Sequence, residues 1–199
     1  LACACSRVRS SAAQPAAGPR RSVAEYPRFP AEVVQGPLVA RASLYTDHER
    51  VFGVDLTRTE HVLPIALHIG FASGKSGSAH FDPDAAALRL YLPDGTILTS
   101  VAARTIHAAS RKVRERLAQH SYTAHALVDA LTEREGCVYF AVEPTSELHF
   151  VGDLLLHKRG AVVHPLDLSR ALVGFEVQVD GRPLAVQVGV DLVDSHTKE

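Results

Sequence analysis

The stretch from Leu63 to Phe71 limits the fold more than any other. Leu63, Ile65, Leu67, Ile69 and Phe71 alternate with Pro64, Ala66, His68 and Gly70. A period of two sends successive side chains to opposite faces of an extended chain, so this is read as a half-buried β-strand with five large apolar groups on one side. At about 3.3 Å per residue it reaches roughly 30 Å, long enough to be the spine of a sheet. The rest of the chain is then read by how it could cover that face.

Further alternating runs support a mainly β protein. Leu38 to Tyr45 is one; Phe52, Val54 and Leu56 separated by Gly53 and Asp55 are another; Leu88, Leu90 and Leu92 lead through the turn formers Pro93-Asp94-Gly95 into Thr96 to Thr99. Cys137 to Val142 is strand-like, as are, less regularly, Leu148 to Val151, Leu154 to His157 and Ala161 to Leu166. The clearest hairpin is the last: Val173, Phe175, Val177 and Val179, a turn at Asp180-Gly181-Arg182-Pro183, and a return through Leu184, Val186, Val188, Val190 and Leu192. Each apolar face needs a second layer. About ten such strands predict a two-sheet antiparallel immunoglobulin-like sandwich. Between Ala102 and Arg134 the period changes: Ile106, Val113, Leu117, Ala124, Leu127, Val128 and Leu131 recur by threes and fours. This predicts a helical pair inserted at about 102–135, interrupted at Ser121-Tyr122 and closed by a glycine C-cap at Glu135-Gly136.

A hydrophobic content of 46% in 199 residues is enough for a real core, and one β-rich domain over 37–199 is the simplest division. The net charge of -1 gives no overall field that would favour nucleic acid. That charge is uneven, because residues 1–36 sum to +3 and residues 104–116 to +4, leaving -8 for the remainder. No apolar run approaches the roughly 18 residues that span a bilayer as a helix.

The chain begins Leu1-Ala2-Cys3-Ala4-Cys5-Ser6 and contains no Met, so a segment before Leu1 or an unusual start is expected. These residues resemble the end of a bacterial lipoprotein signal peptide, in which apolar and small residues precede a Cys that becomes lipidated. Cys3 is the implied lipidation site and Cys5 the alternative. From Ser6 to Gly36 the chain is rich in Ala, Pro, Arg, Ser and Gly without a sustained period, so residues 1–36 read as a lipobox-like start and a disordered tether.

Several motifs weaken when their spacing is checked. Gly70-Phe71-Ala72-Ser73-Gly74-Lys75-Ser76 follows a strand as a phosphate-binding loop does, yet has three residues between Gly70 and Gly74-Lys75-Ser76 instead of four, and Pro83 and turn formers follow where a helix should begin. Eleven His include His120 with His125, and His149, His157 and His164; none has the spacing of a local metal site. Cys137 has no base near it in sequence and reads as a core residue. No nucleophile elbow surrounds Ser110. Arg104, Arg111, Lys112, Arg114 and Arg116 read as a solvated helix face, since no aromatic stacking platform accompanies them.

Phe52-Gly53-Val54-Asp55-Leu56, Leu63-Pro64-Ile65 with Ile69, and Gly136-Cys137-Val138-Tyr139-Phe140 together resemble uncharacterised bacterial envelope lipoproteins with a β-sandwich domain. In those proteins the Leu-Pro-Ile strand often ends in an Asn-rich loop, whereas Gly70 to Gly77 holds no Asn. The resemblance covers residues 50–71 and 136–142 and implies no catalytic residue, cofactor or metal. With the lipobox-like Cys, the disordered spacer and the missing catalytic constellation, the expectation is a non-enzymatic, lipid-anchored structural or interaction module of the periplasm or outer membrane, held to the membrane by its N-terminal lipid, with an envelope protein as a candidate partner and no nucleic acid. The alternatives are a metal-assisted hydrolase whose His cluster is assembled by the fold, and a small-ligand site between the helical insertion and the sheet.

Overall fold

The computed structural model describes residues 30–45, 48–84, 87–108, 110–127, 134–143, 146–151 and 154–193. Strand β1 (Glu32–Gln35) turns into β2 (Leu38–Tyr45), followed by two short helices, α1 (His48–Phe52) and α2 (Leu56–Thr59). The predicted spine is β3 (Val62–Phe71), and β4 (Ala79–Phe81), β5 (Arg89–Tyr91) and β6 (Ile97–Val101) come next. After helix α3 (Arg111–His120) the chain forms β7 (His125–Leu127) and β8 (Arg134–Ala141). A three-stranded meander, β9 (Ser146–Val151), β10 (Leu154–Arg159) and β11 (Val162–Leu166), precedes the closing hairpin of β12 (Leu172–Val179) and β13 (Arg182–Val193).

The sheet is a closed barrel, not the two-sheet immunoglobulin-like sandwich expected from the alternation. Seven strands form a ring, β2-β3-β8-β6-β5-β12-β13, and the ring closes where β13 pairs in parallel with β2 from Val190↔Ala42 to Val193↔Tyr45. All six other joints are antiparallel. Closure satisfies backbone groups that an open sheet would leave at its edges. Strand β1 continues the edge of β2 below this joint, pairing Glu32↔Arg41 to Gln35↔Leu38.

Registers place the alternating residues inside. Leu63 lies opposite Phe140 and Ile65 opposite Val138; Leu67 and Ile69 face Ala42 and Ala40 of β2; Leu90 sits between Leu98 and Val173. All belong to one buried cluster. Leu148, Leu155 and Leu166 of the meander join the same cluster, so this second sheet packs on the barrel core. The last hairpin turns on two residues, Asp180 and Gly181, both with positive φ (48° and 74°), the backbone shape that matches strand twist in a tight hairpin.

The spine is buried on both faces, not one. Val62, Cys137 and Tyr139 point out of the barrel into a second apolar cluster with Phe52, Leu56, Val113 and Leu117. Helices α1 to α3 thus form a layer over the outer wall of β3 and β8. The Tyr139 hydroxyl donates to the Leu117 carbonyl at 3.0 Å, fastening the end of α3 to β8.

Two sequence expectations fail here. Phe52-Gly53-Val54-Asp55-Leu56, read as a strand, is helical on both sides of Asp55. That carboxylate caps α2, accepting from Thr57 N at 3.0 Å, Thr57 Oγ1 at 2.6 Å and Arg58 N at 3.4 Å. Local capping and burial of Phe52 and Leu56 outweigh the short alternation. The second helix of the pair predicted at 102–135 is also absent where the chain is described: His125–Leu127 is strand β7 on β4, and β8 already begins at Arg134. Gly136 is no C-cap. It lies inside β8, where a Cβ would come within 2.5 Å of Tyr122 Cα.

The Asp55 cap yields a measurable stability signature. Burial alone would raise its carboxyl pKa, but the His48 ring 3.6 Å away and hydrogen bonds from Thr57 and Arg58 N outweigh that and lower it to about 2. Asp55→Ala is expected to cost about 1–2 kcal/mol at neutral pH. Because the folded value lies below the unfolded one of about 3.9, the ionised group's contribution is complete above that value and vanishes as pH falls through about 2. Urea melts of parent and variant should therefore differ at pH 7 and converge towards pH 2.

Candidate functional site

Two cavities flank the weakest joint of the ring. Strands β6 and β8 are joined by only two register pairs, Ser100↔Phe140 and Val101↔Tyr139, whereas β3 and β8 share eight. On either side of this short joint the two strands part. One gap holds a cavity of about 270 Å³ bounded by Ala102–Arg104, Ser121–Ala124 and Cys137–Tyr139. The other, of about 310 Å³, lies between Thr96–Thr99 and Ala141–Glu143 and is floored by Leu148 and His157 of the meander.

The first cavity is the space between the helical segment and the sheet that the sequence raised as a small-ligand site. Its wall is mostly apolar, with Leu88, Val101 and Val138 prominent. Tyr122 closes one side and packs edge-on against Phe81, ring centres 5.1 Å apart. At the rim, Arg104 pairs with Asp84 at 3.0 Å. Cys137 also borders it, but the thiol is buried. Burial first, and the nearby Glu135 charge second, push its pKa up to about 12, so at neutral pH it is a poor nucleophile. The core reading of Cys137 fits its surroundings.

The second cavity contains the arrangement most like catalytic machinery. Asp94 Oδ1 accepts from Thr96 N at 2.9 Å, and Oδ2 meets His157 Nδ1 at 2.7 Å. Burial alone would raise the Asp94 pKa, but the bonds from Thr96 and His157 outweigh it and lower it. A carboxylate oxygen can only accept, so Nδ1 of His157 carries the hydrogen of this bond. An Asp–His pair beside a cavity can orient a general base. The hydroxyls bordering this cavity are those of Thr96 and Thr99, while Cys137 lines the other one. Sequence reasoning missed the pair because Asp94 reads as a turn former and stands 63 positions from His157.

The remaining sequence candidates are scattered. His157 and His164 face each other in register across β10 and β11, but His149 is opposite Leu156 and so belongs to the other face of the meander. Among the described residues no group of three or more His, Cys, Asp or Glu is placed to hold a metal ion. His120 ends α3 with its ring against Phe52, centres 5.5 Å apart, and His125 opens β7. After Gly70-Phe71 the loop runs into strand β4 with no helix, so the phosphate-loop geometry is missing. Of the basic residues, Arg111 pairs with Glu115, Arg114 donates to the Ala108 carbonyl and Arg116 lies over Gly53. Cys3 and Cys5 lie outside the described residues.

No family model and no curated protein matches this chain. Among solved structures it is similar to one described as "a putative lipoprotein (ycdA) from Bacillus subtilis subsp. subtilis str. 168", with 10% identity and a TM-score of 0.40. The match covers 81% of this chain and 38% of the other, so the chain spans well under half the length of that protein.

Proposed function

We propose that this chain is a lipid-anchored protein of the bacterial cell envelope whose barrel serves as a non-enzymatic structural or interaction module. The observation that carries this reading is the order of parts: Cys3 and Cys5 in a lipobox-like start, then an Ala-, Pro- and Arg-rich segment, then a first strand at Glu32. Lipid attached to such a Cys places the folded domain beside a membrane without a spanning helix. The non-catalytic part is supported by the burial of Cys137 and by the separation of that thiol from the Asp94–His157 pair. Metabolic labelling of the full-length gene product with an alkyne palmitate analogue tests the anchor. Label should enter the parent and be lost in either Cys3→Ser or Cys5→Ser; label absent from the parent, or retained in both variants, would refute it.

A further inference from the structure

The basic residues of the helix layer are the strongest charged feature that the barrel core does not explain. Helix α3 buries Val113 and Leu117 against the outer wall and turns Arg111, Lys112 and Arg114 outwards, with Arg104 on the preceding 3-10 turn. Arg111 and Arg104 are 85% and 78% exposed, so their pairs with Glu115 and Asp84 are solvated and weakly held, and both side chains can exchange these partners for others. Residues 104–116 carry +4, while everything else after residue 36 sums to -8. Among the described residues the outer face of α3 with Arg104 is a local concentration of cations, since those after residue 36 outside this stretch carry ten cations against thirteen acids.

Beyond the Arg111–Glu115 pair and the Arg114 bond to the Ala108 carbonyl, that charge does not serve the helix. The first turn of α3 has no acidic residue, and Ser110 makes no side-chain cap bond. Cations at this end oppose the helix dipole and weaken the helix slightly.

We propose that the outer face of α3, with Arg104, docks on an anionic phospholipid surface. This deepens the envelope reading by naming the surface on which the anchored barrel rests. Charge complementarity selects the occupant: a sheet of phosphate headgroups attracts several spaced cations at once without requiring an apolar groove. Attraction centred on this face turns the helix layer towards the bilayer. The chain enters the described fold at Pro30, whose carbonyl accepts from Gly189 N at 2.8 Å. The stretch from Cys3 to Pro30 can extend up to about 90 Å, so an anchor at Cys3 leaves the face room to reach the membrane.

The test uses the 199-residue chain with Cys3→Ser and Cys5→Ser, which reads the face without any lipid. Sedimentation with neutral phosphatidylcholine vesicles is compared with vesicles containing phosphatidylglycerol. Binding should require the anionic lipid and fall when salt is raised. Arg111→Gln with Lys112→Gln should weaken it about 25-fold, at about fivefold per cation near the surface, with an unchanged urea midpoint showing that the fold is intact. Equal binding to both vesicles, or a double variant that binds like its parent because the tail arginines carry the attraction, overturns the proposal. So does a single-stranded RNA 30-mer that displaces the chain from vesicles and itself loses affinity in the double variant. Loss of palmitate labelling with vesicle binding intact would remove the anchor alone; the reverse would remove the face alone.

Discussion

Phe140→Ala is expected to destabilise the protein by about 3–5 kcal/mol, the range for emptying a large aromatic site in a packed core. Phe140 is fully buried, packs inside the barrel opposite Leu63 and supplies one of only two register pairs that join β6 to β8. The substitution removes apolar contact where the ring has least backbone pairing to replace it. Urea unfolding followed by far-ultraviolet circular dichroism measures the loss. Ile97→Ala, three residues from the same joint but 52% exposed, should stay within about 0.5 kcal/mol of the parent. Similar losses in both would mean that the apolar face of β6 and β8 is not arranged as described.

Gly136→Ala should cost about 3 kcal/mol, because its one added carbon meets backbone and not a movable side chain. The new Cβ would lie 2.5 Å from Tyr122 Cα and 2.7 Å from Tyr122 N. At that crossing Tyr122 N donates to the Cys137 carbonyl at 2.8 Å, and Ser121 bridges Cys137. Relief requires the chain after α3 to move off β8, with loss of that hydrogen bond and displacement of Tyr122 from Phe81; overpacking of this kind costs about 1–3 kcal/mol, occasionally more. Gly77→Ala is the matched control. Its Cβ would find ordinary contacts at 3.5 Å and beyond, and its φ is not positive, so reduced freedom of the unfolded chain should leave stability unchanged or slightly higher.

The same glycine shows how far local sequence reading extends. Glu135-Gly136 after an apparent helical period looks like a helix terminus, and nothing in the neighbouring residues reveals that Tyr122 will cross there. The spacing of Ala124, Leu127, Val128 and Leu131 fits a helix, but pairing of His125–Leu127 with β4 satisfies the backbone another way. Phe52 and Leu56 fit a strand when only alternate residues are compared. The Asp55 cap and the apolar layer beneath decide for two short helices.

The Asp94–His157 pair was equally hidden. Its two members lie in a β-turn and a meander strand, and only the packing of that meander on the barrel core brings them to 2.7 Å. The cationic stretch at 104–116, by contrast, was visible directly, and so was the helix that carries most of it. What the sequence lacked was the wall that the Val113–Leu117 stripe covers, the outer side of β3 and β8.

Sequence by itself determined which side chains face inward. From Leu63 to Phe71 and from Val173 to Leu192 an alternating run has its large apolar groups on one face, and a shift of one residue would turn all of them out of the barrel. Tertiary structure alone decided that these faces enclose one barrel instead of lining two sheets. Closure depends on β13 meeting β2 in parallel, Val190 beside Ala42, a contact between distant parts of the chain. Period two is the same in an open sheet and a closed one; strand number, tilt and stagger separate them, and those exist only once every strand has found its neighbour.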